Sequence, residues 1–136
     1  MFRHNQCGSL SVEMALFGGM LSLFIIPVVD LGMVLSRSLK LDGALRAGVQ
    51  YALKYPTDTA GIQGAVTGAS GLSNVSASVS TFCECNGAAL SCNGTCAGTL
   101  ATYRTITASH SSALLLTYPG LANPFVINRS ISVRTN

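Results

Sequence analysis

The sequence predicts an α+β fold: one long N-terminal helix, membrane-embedded in its first half, packed by its second half on a small three-stranded antiparallel sheet. Three observations predict it. An uncharged apolar run of 16 residues, 14–29, lies near the N-terminus. Helical periodicity continues past it, with Leu41, Leu45, Val49 and Ala52 at spacings of three or four. Alternation of apolar with small polar residues sets in only after Val75. Composition agrees: of 136 residues 49% are hydrophobic and 10% charged, against roughly one-quarter charged in an average soluble domain. The chain is too apolar for disorder, and its length suits one domain. Its eight Lys and Arg form no cluster and it has no tryptophan, so it lacks both the basic stripe and the stacking platform that nucleic acid requires.

The membrane half covers residues 9–35. Residues 14–35 carry one acid and as a helix measure about 33 Å, close to the ~30 Å hydrocarbon core of a bilayer. Glu13 and Asp30 bound the uncharged run, and a carboxylate in or beside lipid is costly unless paired. Pro27 removes a backbone donor inside the span and predicts a kink. A cleaved secretory signal is disfavoured, because Ser36-Arg37-Ser38 after the run is a poor cleavage site. Lipoprotein processing fails as well, because Cys7 precedes the run instead of following it.

Beyond the span, the helix is predicted to run from about Leu10 to Tyr55, where Pro56 stops it. Asp42 and Arg46 form a favourable i,i+4 pair. Gly43 and Gly48 each cost about 1 kcal/mol relative to alanine; close helix contact in an assembly would explain them. Thr57-Asp58 can cap a short second helix reaching about Ala69. Strands are predicted over residues 75–81, 102–109 and 125–134, the last two joined by a loop with Pro119-Gly120 and Asn123-Pro124. Helix and sheet each bury one face against the other.

Cys83-Glu84-Cys85 and Cys92-Asn93-Gly94-Thr95-Cys96 flank a turn-rich stretch. Zinc fits poorly, because structural sites space paired cysteines by about two to four residues. Outside the cytosol, two disulfides stapling a loop poor in apolar residues are the natural reading. The nested pairs Cys83–Cys96 and Cys85–Cys92 are favoured, with the crossed pairs left open. Catalysis finds no footing. The five acids are scattered, Ser109-His110-Ser111 places neighbours on opposite strand faces, and His110 reads as an ordinary surface or loop histidine. No catalytic residue, metal site or cofactor is expected, nor a small-molecule substrate.

Gly8 followed by Glu13 at the mouth of an apolar helix resembles the type IV prepilin processing site. The likeness extends through Val12-Glu13-Met14-Ala15-Leu16, Asp30-Leu31-Gly32, and Leu41-Asp42-Gly43-Ala44-Leu45-Arg46-Ala47-Gly48-Val49-Gln50-Tyr51-Ala52. It continues in Tyr103-Arg104-Thr105-Ile106-Thr107, Tyr118-Pro119-Gly120-Leu121 and Ile131-Ser132-Val133-Arg134. In these segments the chain resembles the TadE-like family, the minor pilins or pseudopilins of the Tad/Flp pilus; Met14 replaces the family's usual aromatic. The resemblance implies a pilin-like fold and removal of residues 1–8 by a prepilin peptidase cutting between Gly8 and Ser9. It also implies an inner-membrane location with residues 36–136 as an extracytoplasmic head. Implied partners are other minor and major pilins, the peptidase and an inner-membrane assembly platform, in adhesion or biofilm formation. Glu13, Pro27 and Asp30 are the implied assembly residues, Glu13 compensating the new ammonium of Ser9 in a low-dielectric bundle. Counting Arg3 against Arg37, Lys40 and Arg46 favours the opposite orientation. The cysteine loop and a cytoplasmic peptidase override that count. The rival reading is a static membrane-anchored envelope domain with no filament role.

Overall fold

The computed structural model describes residues 7–135. Its order is α1 (Cys7–Lys54), α2 (Thr59–Ser70), β1 (Val75–Cys85), β2 (Ala88–Leu90), β3 (Leu100–Ser112) and β4 (Phe125–Arg134). The strands form one antiparallel sheet in the order β2-β1-β3-β4. The architecture is therefore α+β with a long N-terminal helix, and the sheet has four strands where the sequence predicts three.

The additional strand follows from Asn86-Gly87. Both residues take positive φ, 52° and 84°, as a two-residue hairpin turn requires of its centre. The turn folds Ala88–Leu90 back on β1 in the register Cys83↔Leu90 and Cys85↔Ala88, which also carries β1 past residue 81.

α1 runs through Pro27 as one continuous helix and ends at Lys54, two residues before Pro56. Its packed stripe comprises Asp30, Ser38, Leu41, Ala44, Leu45, Gly48 and Ala52, with Val34 and Val49 partly buried. These positions recur every three or four residues, so they share one helix face. α1 lies over β3 and β4, and α2 over β1. Ile62 and Val66 of α2 meet Ile106 and Ala108 of β3 and Ile127 of β4 in the core. Gly48 is required at the three-way junction, since a Cβ there would come 2.5 Å from Val66 Cγ2. Gly43 faces open space, so the two glycines have different reasons to be there, and that of Gly48 lies within this chain.

Asp58 caps α2, its Oδ1 accepting the Gly61 amide at 2.9 Å, while Gly71 ends the helix with φ 58°. The other carboxylate oxygen of Asp58 accepts the Tyr51 hydroxyl at 2.8 Å, tying α2 to the end of α1. The helix-facing side of β4 carries Arg129, which donates to Ser38 and lies 3.5 Å from Asp42. The ion-pair partner of Asp42 is thus on the sheet and not Arg46. The opposite sheet face bears cross-strand hydroxyl pairs, Ser76 with Ser109 and Thr105 with Ser132, and a stacked Phe82–Tyr103 pair.

Candidate functional site

Residues 10–29 of α1 are almost wholly exposed among the described residues. Apart from the half-buried Ile26, every side chain from Leu10 to Val29 is exposed. The helix is long and apolar enough to cross a membrane, and its most apolar window has a mean hydropathy of 2.1 with nothing buried. Burial begins abruptly at Asp30, which is 3% exposed. The packed stripe therefore starts inside the stretch expected for lipid, six residues before Ser36.

Asp30 is buried because the β3–β4 connection folds down onto it. Its Oδ1 accepts the Leu115 amide at 2.9 Å and its Oδ2 accepts the Tyr118 hydroxyl at 2.8 Å. The connection is held in shape by Asn123, which accepts from the Leu114 amide and donates to the Leu114 carbonyl, and by the Leu121 amide bonding the Tyr118 carbonyl. Two turns further along α1, Arg37 donates to Ser112 at the end of β3. Between helix and connection lies an open groove of about 360 Å³ lined by Pro27, Asp30, Leu31, Val34, Leu114, Tyr118, Leu121 and Phe125.

Of the sequence-expected site residues, the fold brings Pro27 and Asp30 together on this groove. Glu13 lies 17 positions away in the unpartnered half, exposed, about 26 Å along the axis. Gly8 and Ser9 fall in the first turn of α1; residues 1–6 of the expected leader lie outside the described residues. Leu115 and Tyr118 are site residues that sequence reasoning missed. Their signal was available: an acid inside an apolar helix needs partners, and Leu114-Leu115-Leu116 is an apolar run in a loop.

Two expectations need correction. The cysteines pair as Cys83–Cys92 and Cys85–Cys96, with Cα separations of 5.1 and 5.7 Å, so the connectivity is crossed and the nested pairs Cys83–Cys96 and Cys85–Cys92 are not formed. The hairpin dictates this. β2 runs back along β1 toward Cys83, so Cys92 arrives beside Cys83. The chain must then return to begin β3 at Leu100, which pairs with Cys85, and on the way Cys96 passes Cys85. All four sulfurs are thereby engaged in disulfides and none is left for zinc. The second correction is His110, which is 7% exposed and lies on the helix-facing side of β3; its Nδ1 has no hydrogen-bond partner among the described residues.

No protein-family model, curated protein or solved structure matches the chain.

Proposed function

We propose that the chain is a minor pilin or pseudopilin of the Tad type, a structural subunit and not an enzyme. It is held in the bacterial inner membrane by residues 10–29 with the disulfide-bearing head outside, and is passed from there into or beneath a filament. The observation that carries this reading is the division of one continuous 48-residue helix. One half has neither partner nor charge beyond Glu13, while the other is built into the head. A pilin needs that construction, because its apolar half must be satisfied first by lipid and later by neighbouring subunits. Two disulfides support a head in an oxidising compartment. Arg37, one of the cations that charge counting sets against this orientation, lies at the start of a head of about a hundred residues, and long domains translocate largely regardless of charge.

On this reading a prepilin peptidase cuts between Gly8 and Ser9, and the new ammonium compensates Glu13 once the helix is packed among others. The partners are other pilins and an assembly platform. The test is the intact mass of the membrane-extracted protein with and without a co-expressed prepilin peptidase, before and after reduction. Peptidase-dependent loss of residues 1–8, with the gain of four hydrogens on reduction expected of two disulfides, is the predicted result. A full-length chain under both conditions, with Glu13→Gln lacking any consequence for filaments, would leave the static anchored domain as the better reading.

A further inference from the structure

The uncharged run of 16 residues between Glu13 and Asp30 measures about 24 Å as a helix, short of a ~30 Å hydrocarbon core. A bilayer must thin to meet it, or apolar surface must continue past one end. The surface beside Asp30 supplies that continuation. The Asp30 carboxylate is 3% exposed and both its oxygens accept hydrogen bonds from the β3–β4 connection, so it is shielded from whatever surrounds the helix. The same connection turns outward Leu115, Leu116 and Leu121, which are 62%, 43% and 51% exposed. No Asp, Glu, Lys or Arg occurs from Ser111 to Asn128, and on α1 none occurs between Asp30 and Arg37. The groove between helix and connection is apolar and runs without interruption into the unpartnered surface of α1 at Pro27 and Leu31.

We propose that residues 113–124 are a second membrane-contacting element. They form an apolar collar that seats among the acyl chains at the edge of the leaflet, covers Asp30, and admits lipid into the groove beside Pro27. The collar adds the missing length at the head end of the span and fixes how deeply the head sits. Tyr118, its ring in the groove and its hydroxyl on Asp30, stands where interfacial tyrosines are favoured. This inference rests on residues 10–29 spanning the bilayer.

The chain has no tryptophan, so single substitutions report without background. L21W places the probe mid-span, L116W on the collar, and F82W on the sheet nine residues up β3 from the collar, where Phe82 pairs with Tyr103, about 30 Å away. The full chain is reconstituted in phosphatidylethanolamine/phosphatidylglycerol vesicles whose acyl chains carry bromine near the headgroup or near the bilayer centre. We expect L21W to be quenched by deep bromine, L116W to be quenched to a comparable extent by shallow bromine, and F82W to be quenched by neither. Adding Leu115→Ser and Leu121→Ser to L116W should abolish its quenching and leave the mid-span probe unchanged. If L116W behaves like F82W while L21W is quenched, the span stands and the collar is overturned. A blue shift of L116W that grows with protein density without bromine quenching also overturns it, assigning the groove to a second copy. An unquenched L21W overturns the span reading and the collar with it.

Discussion

Residues 10–29 and 30–54 belong to one helix and are both rich in Leu, Val and Gly, yet only the second carries an apolar stripe that packs. In the second segment Leu41, Ala44, Leu45 and Ala52 share one face and are buried against sheet and α2, Leu41 and Ala44 completely, while Leu31, Leu35, Leu39 and Leu53 off that face stay exposed. In the first, apolar residues surround the axis and are exposed, Leu21 at 58% and Leu23 at 70%. Hydropathy does not separate a core helix from a lipid-facing one; angular distribution does. A face about 100° wide implies a protein partner, whereas apolar residues all round imply an apolar solvent. Asp30 marks the change, as the first residue of the packed stripe and the last that the head reaches down to cover.

The largest expected break in this symmetry is a pair of identical truncations. Leu41→Ala removes a fully buried side chain and should cost the head about 2–5 kcal/mol. Leu21→Ala should leave the unfolding of the head unchanged, because nothing in the head touches it. Chemical denaturation of the detergent-solubilised protein, followed by the near-ultraviolet signal of its tyrosines, checks both. Equal losses would mean that the two halves are not energetically separate.

The disulfides test whether the packed half relies on its core or on its staples. They close short loops, with sequence separations of 9 and 11, at the sheet end remote from Asp30. Replacing Cys83 and Cys92 together by serine should cost about 2–4 kcal/mol, with the packing of α1 retained. Their connectivity can be read directly. Cleavage after Glu84 and at the Asn86–Gly87 and Asn93–Gly94 bonds should leave the Cys83 fragment joined to that of Cys92, and the Cys85 fragment to that of Cys96.

What was legible in the sequence tracks how local the cause is. Pro56 and Asp58 predict the helix boundary and cap because both act within a few residues. Phe125–Arg134 is predicted with its observed bounds, since alternation fixes a strand locally. The crossed disulfides were less accessible, because they depend on where the chain enters β3, a non-local fact. They were half-written all the same: Asn86-Gly87 is a hairpin signal, and treating it as one would have delivered β2 and then the pairing. The Asp30 site was missed more completely. Leu115 and Tyr118 are 85 and 88 residues from their partner, and no spacing rule spans that distance. His110 looks polar in isolation and is buried only because its strand alternates with Ile106 and Ala108 on the core side.

A subtler break uses one substitution with opposite signs along a single helix. Gly48→Ala puts a methyl against Val66, whose branched side chain yields little, and should destabilise the head by about 1–3 kcal/mol. Gly43→Ala meets nothing within 4 Å and should stabilise it by up to about 1 kcal/mol through helix propensity. Gly18→Ala, in the unpartnered half, should leave head stability where it is. If Gly43 and Gly48 respond alike, the three-way junction at Gly48 is wrong.

The smallest expected effect lies where the packed half ends, in the Tyr51–Asp58 bond that joins α1 to α2. The amide of Gly61, and after it the Tyr51 hydroxyl, hold the Asp58 carboxyl below its ordinary pKa, while the bond to Asp58 pushes the Tyr51 phenol above its own. A carboxylate depressed by folding contributes stability that is whole above the unfolded pKa of about 3.9 and is lost as pH falls through the folded value. A phenol raised by folding contributes stability that is whole below about 10 and is lost as pH rises through the folded value. The head should therefore lose melting temperature at both extremes, modestly, since Asp58 is exposed. Asp58→Asn retains a capping oxygen for Gly61 and should flatten the acid limb. Tyr51→Phe should flatten the alkaline limb and leave the cap intact. Neither variant should alter how the protein holds to a bilayer. A change in membrane retention with either one would mean that the far end of the helix is coupled to the span, and that the boundary at Asp30 is not where the two halves part.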